Sequence, residues 1–171
     1  MNKSGLLLGW TAALLVVPVA ACQQPRTSPP ASHPAPASEQ YVTILNTSVS
    51  GVQTVERVVI GDSTTWSKMW TRLMSNYAIP SSAPARPAVN FDTSLVVVAT
   101  AGPSADGTSV QIDSLRSREN ELVVYVRYVR IGDHCLGDLM IHYPTHVIQI
   151  SRPGKPVRFV DDTVIGPPCD S

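Results

Sequence analysis

The sequence lacks an excess of charge of either sign. It carries 13 Lys and Arg against 13 Asp and Glu in 171 residues, for a formal net charge of zero, and it contains no run of basic residues. Nucleic-acid binding depends on clustered Lys and Arg side chains that neutralise phosphates. The composition therefore predicts no nucleic-acid partner.

The sequence also lacks the short motifs that identify common catalytic sites. It contains no Gly-x-Ser-x-Gly, His-Glu-x-x-His, phosphate-loop or dinucleotide-binding pattern. It has no Cys-x-x-Cys pair either, which a thioredoxin-like redox role requires. We therefore expect a protein that is not an enzyme and that uses no cofactor.

Cysteine is scarce, and the first of the three cysteines follows an apolar segment. Lys3 precedes an apolar run over residues 6–17, and Val-Ala-Ala then leads to Cys22. The run is too short to span a bilayer comfortably and ends in small residues, as secretory signals do. The Val-Ala-Ala-Cys string resembles a bacterial lipobox, in which acyl chains such as palmitate are attached to the cysteine.

We therefore predict that residues 1–21 are a lipoprotein signal peptide and that a lipid on Cys22 ties the protein to a membrane of the cell envelope. Several acyl chains on one residue give stable anchoring, where a single chain is marginal. Gln23 is not the aspartate associated with inner-membrane retention, which favours the outer membrane if the cell has one. The alternative is a plain signal peptide that is cut after Ala21 and leaves a free Cys22.

The remaining cysteines, Cys135 and Cys169, form an even pair once Cys22 is acylated. Because compartments beyond the inner membrane are oxidising, the pair is expected to form a disulfide. Two buried free thiols, or a pair of metal ligands, are the alternatives.

The rest of the chain divides into a tether and one domain. Residues 22–40 are rich in Pro, Ser and Ala, with no large apolar residue, which is typical of an extended linker. Residues 41–171 are predicted to fold as one β-rich domain. Runs of β-branched, apolar or alternating residues predict strands over 41–45, 52–60, 94–101, 110–115, 122–131, 145–151 and 157–160.

A single helix is predicted after Gly61. Trp66, Trp70, Leu73 and Tyr77 recur at helical spacing, with Asp62 or Ser63 as the cap. The favoured interpretation is that the tryptophans pack the helix on a sheet. The alternative is that Trp66, Trp70 and Tyr77 contact a small ligand, a polymer or a partner. The fold class is α+β and mostly β, with short turns that favour antiparallel pairing.

One group of side chains has the chemistry of metal ligands. It comprises Asp133, His134, Cys135, Asp138, His142 and His146. Imidazole, carboxylate and thiolate suit zinc or copper, and such a site is the basis of an alternative function as a metal-dependent envelope hydrolase. However, Pro144 separates two of the histidines, and a disulfide would remove the thiolate. Strand-end histidines with backbone partners are the favoured interpretation, and we predict no metal.

The order of several segments resembles the C-terminal domain of PrcB, a protein of bacterial protease complexes, and its lipoprotein relatives. The segments, which lie within residues 55–160, are Thr65-Trp66, Trp70-Thr71-Arg72-Leu73, Val89-Asn90-Phe91-Asp92, Leu95-Val96-Val97-Val98, Asp106-Gly107-Thr108-Ser109-Val110-Gln111-Ile112 after Gly102, and Tyr143-Pro144-Thr145-His146-Val147-Ile148-Gln149-Ile150. The family turn has two glycines and an aromatic residue where this chain has Asp106, Gly107 and Thr108.

The resemblance implies a role in stabilising a partner protease complex rather than catalysis. Together with the anchor and the tether, it favours a lipid-anchored protein that binds another envelope protein through a sheet edge or an apolar patch.

Overall fold

The computed structural model describes residues 39–78, 82–105, 107–137 and 140–169. They lie within one compact unit, Pro34–Ser171. Seven strands and one helix follow in the order β1 (Tyr41–Thr47), β2 (Arg57–Ile60), α1 (Ser63–Met74), β3 (Ser94–Thr100), β4 (Ser109–Ser117), β5 (Leu122–Arg130), β6 (Thr145–Ser151) and β7 (Val157–Ile165). The mostly-β, single-domain α+β fold is thereby confirmed.

The strands form two sheets that pack face to face. The first sheet has the order β1-β6-β3-β2 and is antiparallel throughout. The second has the order β4-β5-β7. The core between the sheets contains alternate side chains of both, including Leu95, Val97 and Ile148 from the first sheet and Ile112 and Val124 from the second.

The other face of the first sheet is covered by helix α1. Asp62 caps the helix through its carboxylate, which accepts from the backbone N–H of Thr65 at 2.8 Å. The buried stripe of the helix packs in a second core cluster with Val96, Val98 and Val147. Strand β3 is therefore buried at all seven positions, as its unbroken apolar run predicts.

Two strand predictions differ from the structure by five residues each. Residues 52–56 are not a strand, because the segment that precedes β2 instead packs against the helix: Gly51 N–H donates to Leu73 at 2.9 Å, and Val52 is buried. A Cβ atom at Gly51 would lie 2.3 Å from the Arg72 carbonyl oxygen, so only glycine fits that approach. At the other end, β7 continues to Ile165, five residues beyond the predicted end.

The pairing of β5 with β7 is parallel, which differs from the expected antiparallel pattern. The connection between them is long because it contains β6, which lies in the other sheet. A long connection of this kind is what a parallel pair requires.

Candidate functional site

The loops of one end of the sandwich converge because of the strand directions. At this end β1, β3, β5 and β7 finish, and β2, β4 and β6 begin. We call this the loop end. The chain enters at the opposite end, where Tyr41 pairs with Ile150 and the Glu39 N–H donates to Leu115 at 3.1 Å. The loop end thus lies opposite the end at which the described part of the chain begins.

A disulfide fastens two segments of the loop end. Cys135, in the loop after β5, is bonded to Cys169, in the tail after β7. Backbone bonds support it, since the N–H of Cys169 donates to the Asp133 carbonyl at 3.1 Å and that of Gly166 donates to Arg130 at 2.8 Å. The disulfide predicted from the cysteine count is therefore present in the structure.

The loop after β5 and the last two residues of β7 contain much of the exposed apolar surface of the described residues. Their exposed apolar residues, with exposed fractions, are Leu136 (100%), Met140 (64%), Ile141 (61%), Val164 (40%) and Ile165 (65%). We call these five residues the apolar loop-end set. Large apolar side chains grouped at one end of a domain are typical of protein-contact surfaces. Sequence reasoning missed this set because it considered only the metal-ligand chemistry of residues 133–142 and predicted that the last strand ends at Val160.

A cleft of about 370 Å³ lies at the same end, between the end of β1 and the start of β4. Asn46, Thr47 and Ser48 line one side, residues 107–110 another, and His142 and Pro144 the third. The main chain of His142 is fixed there by two hydrogen bonds with Ser104, each 2.8 Å long. Sequence reasoning did not identify this cleft, since its walls come from three separated segments.

His146 is buried between the sheets at 2% exposure. Its Nδ1 accepts from the N–H of Ile112 at 2.8 Å, so that nitrogen carries no proton. Nε2 therefore carries the proton and donates to Thr43 Oγ1 at 3.0 Å. Burial lowers the pKa of His146, which favours this neutral form.

The ring of Tyr41 lies edge-on to His146, with centroids 6.3 Å apart, and its hydroxyl donates to the Ile112 carbonyl at 3.0 Å. His146 and Tyr41 thus satisfy both backbone groups of Ile112, on the edge strand of the second sheet. This confirms the interpretation of His146 as a histidine with a backbone partner.

The proposed metal ligands do not form one site among the described residues. Cys135 is in the disulfide, and both ring nitrogens of His146 are engaged within the core. Asp138 lies outside the described residues. In the described part of the chain, no group of three His, Cys, Asp or Glu residues is placed to hold a metal ion.

Trp66 and Trp70 lie in the core, at 2% and 7% exposure. Their rings meet edge to face with centroids 5.1 Å apart, and Trp66 Nε1 donates to the Pro87 carbonyl at 3.2 Å. The packing role favoured by the sequence is thus the one the structure shows. Tyr77 follows the helix rather than continuing it, and it is half-buried. Ligand contact by these three residues remains an untested alternative.

Cys22, the predicted signal peptide and residues 22–38 of the predicted tether lie outside the described residues. Within the described ranges, no helix has the length and apolar character needed to cross a membrane.

Comparison with known proteins and protein families gives one match, which is to a family model. The chain matches no curated protein and no solved structure. The model of the family described as PrcB C-terminal matches residues 95–151, which run from β3 through β6 and include the disulfide-fastened loop after β5. The predicted resemblance is therefore confirmed over residues 95–151, whereas the resembling segments between Thr65 and Asp92 lie outside the matched range.

Proposed function

We propose that this protein is a lipid-anchored, non-catalytic component of the bacterial envelope that binds and stabilises another protein, as an accessory to a protease complex. The observation that carries the proposal is the apolar loop-end set, which lies opposite the point where the tether joins the domain. A protein held at its N-terminus would present this end to partners away from the membrane. The family match over residues 95–151 supports the same role.

The disulfide suits the loop end to binding. It joins the loop after β5, which contains three of the apolar residues, to the tail that directly follows β7, so less conformational freedom is left to lose when a partner binds. His134, beside Cys135, has a left-handed backbone with φ of 62°, which non-glycine residues rarely adopt. Such backbone conformations are found where the surrounding structure enforces them, often at binding loops.

The test is crosslinking from single positions in living cells. A photo-reactive amino acid at Leu136, which is fully exposed at the loop end, should capture one envelope protein. The matched control is Val42, which is 65% exposed at the end where the tether joins. The abundance of the captured protein should fall when this chain is absent. Equal capture at both positions, or none at Leu136, would overturn the proposal.

The anchor is tested separately with Cys22→Ala, which removes the acylated thiol. We expect the protein to move from the membrane fraction to the soluble envelope fraction, because acyl chains supply the membrane affinity. If the variant remains membrane-bound to the same extent, the lipid is not the anchor. Fractionation of the envelope shows whether the membrane is the outer one, which Gln23 favours.

The cleft of about 370 Å³ favours a second candidate, the binding of a small ligand. Ser109 lies on its wall and is exposed, so Ser109→Trp should fill the cleft without altering the core. A compound that co-purifies with the native chain, is identified by mass spectrometry and is lost in Ser109→Trp would support this function. An identical profile for both chains would remove it.

A further inference from the structure

Strand β7 forms a long and regular edge of the second sheet. It spans nine residues, and its register with β5 runs without a shift from Leu122 opposite Val157 to Arg130 opposite Ile165. It contains no proline and no bulge, which protect many sheet edges, and its charged residues are of both signs, so they can form ion pairs across a contact between edges. Among the described strands only β5 pairs with it.

The direction of the free backbone groups follows from the two ends of the strand. Leu122 N–H donates to the Pro156 carbonyl at 2.9 Å, and Gly166 N–H donates to the Arg130 carbonyl at 2.8 Å, so residues 156 and 166 both face β5. Backbone groups alternate in direction along a strand. Phe159, Asp161 and Thr163 therefore direct their N–H and C=O groups away from β5, along the free edge.

The side chains of β7 alternate in the same way. Phe159 packs on the core between the sheets, and Asp161 lies 2.8 Å from Arg57 of the first sheet. Arg158, Val160 and Asp162 therefore lie on the outer face. Arg158 bonds to Glu121 and is still 48% exposed. Asp162 is exposed and has no hydrogen bond or ion pair with any described residue.

We propose that β7 is the interface with a second copy of this chain, paired antiparallel about a two-fold axis at Val160. In this register Arg158 lies opposite Asp162 of the second copy, and Asp162 lies opposite the second copy's Arg158. The two Val160 side chains face each other between these ion pairs. A two-fold interface is self-complementary by necessity, and the alternation of basic, apolar and acidic residues on this face meets that requirement.

The backbone supports this register. A two-fold axis that passes through a residue pairs odd-numbered positions with odd-numbered positions. Phe159 then lies opposite Asp161 of the second copy, and the outward N–H and C=O groups of both residues can hydrogen-bond to each other. An axis between two residues would pair outward groups with inward ones.

The charges distinguish this register from its neighbours. An axis at Arg158, Asp161 or Asp162 would place two like charges directly opposite each other, which disfavours pairing. An axis at Phe159 places Asp162 opposite Pro156 and Arg158 opposite Val160, so neither charge gains a partner. Only the axis at Val160 pairs both charges of the outer face. Confinement of both copies to one membrane would raise their effective concentration and favour the pair.

The first experiment places a cysteine on β7 of the full chain and measures oxidative crosslinking in membranes or in detergent. Val160→Cys puts two thiols on the axis, in a non-hydrogen-bonded pair where side chains approach closely. We expect a covalent dimer that thiol reagents dissociate. The control is Val164→Cys, on the same face of the same strand. In the proposed register Val164 lies opposite Pro156 of the second copy, which is eight residues, or about 26 Å, from the second copy's Val164.

Three results would overturn the proposal. They are the absence of a dimer with Val160→Cys, equal dimer with Val164→Cys, and a crosslink from Val160→Cys to a different protein in place of the second copy. The last result would assign the edge to another partner.

The second experiment exchanges the charges. Arg158→Asp places like charges opposite each other at both ends of the pair and should weaken dimerisation of the full chain by about tenfold or more in analytical ultracentrifugation. The double variant Arg158→Asp with Asp162→Arg restores opposite charges and should recover the dimer. Both variants lose the bond to Glu121, so recovery isolates the pairs between copies. A double variant as weak as the single one would contradict the register.

Discussion

The two edges of the second sheet differ in whether other described residues hydrogen-bond to their outward backbone groups. On β4 the register with β5 shifts between Ile112 and Ser114, and the edge is covered by Tyr41, His146 and Glu39. On β7 the register is unbroken, and no described strand lies beyond it. Since free sheet edges promote association, proteins cover the edges that should stay single. The contrast indicates that β4 is closed by the fold and that β7 is left available.

The largest expected effect comes from removing the disulfide that lies next to the end of β7. Replacing Cys135 and Cys169 with serine should lower the free energy of unfolding by about 3–4 kcal/mol, because the bond closes a loop of 34 positions in the unfolded chain. Denaturant unfolding measures the loss, and reducing the native disulfide should reproduce it. If the double variant is as stable as the native chain, the disulfide does not support the end of β7.

The next effect concerns the closed edge. His146→Leu replaces the imidazole with an apolar side chain of similar size and leaves the N–H of Ile112 buried without an acceptor. We expect unfolding to become easier by about 2 kcal/mol, which is typical for an unsatisfied buried donor. His146→Asn, which retains an acceptor, should lose less in the same denaturant titration. Equal stability of the native and Leu chains would show that β4 does not depend on this bond.

Tyr41→Phe tests the neighbouring bond and should cost about 1 kcal/mol, because it removes one donor to the Ile112 carbonyl. The matched control is Tyr125→Phe, on the exposed face of the same sheet, where the hydroxyl accepts a long bond of 3.4 Å from Arg118. Its thermal midpoint should barely change. A larger loss for Tyr125 than for Tyr41 would reverse the comparison.

The smallest effect is a pH dependence at the closed edge. Burial lowers the pKa of His146 in the folded chain, so the unfolded chain takes up a proton first as the pH falls. The contribution to stability is complete above about pH 6.5, the unfolded pKa, and falls as the pH drops through the folded pKa, by at most about 1.4 kcal/mol per pH unit. Denaturant unfolding from pH 7.5 to 5 measures it. His146→Leu should remove this component, and an unchanged pH profile would refute the assignment.

The sequence predicted the elements whose pattern reflects burial directly. The unbroken run from Leu95 to Ala99 predicted a strand buried on both faces, and the tryptophan stripe predicted the helix that covers one of them. The spacing of Val110, Ile112 and Leu115 departs from strict alternation. The structure explains it by the register shift in β4, which returns Leu115 to the core.

The features that the sequence did not predict depend on neighbours that are distant along the chain. Residues 161–165 are exposed, so no burial pattern marks them as a strand, and only pairing with β5 makes them one. The cleft and the apolar loop-end set are assembled from segments that the topology brings to one end. By contrast, the cysteine count did predict one contact between distant residues, the disulfide between Cys135 and Cys169.

The most direct test of the contrast between the edges is amide hydrogen exchange of the full chain at several protein concentrations. The N–H of Ile112 should exchange slowly at every concentration, because it donates a hydrogen bond to His146 Nδ1 within the fold. The outward amides of Asp161 and Thr163 should exchange slowly only at concentrations where the pair forms, and rapidly on dilution or in Arg158→Asp. Rapid exchange at Ile112, or protection of Thr163 that dilution and Arg158→Asp leave unchanged, would contradict the account of one closed edge and one available edge.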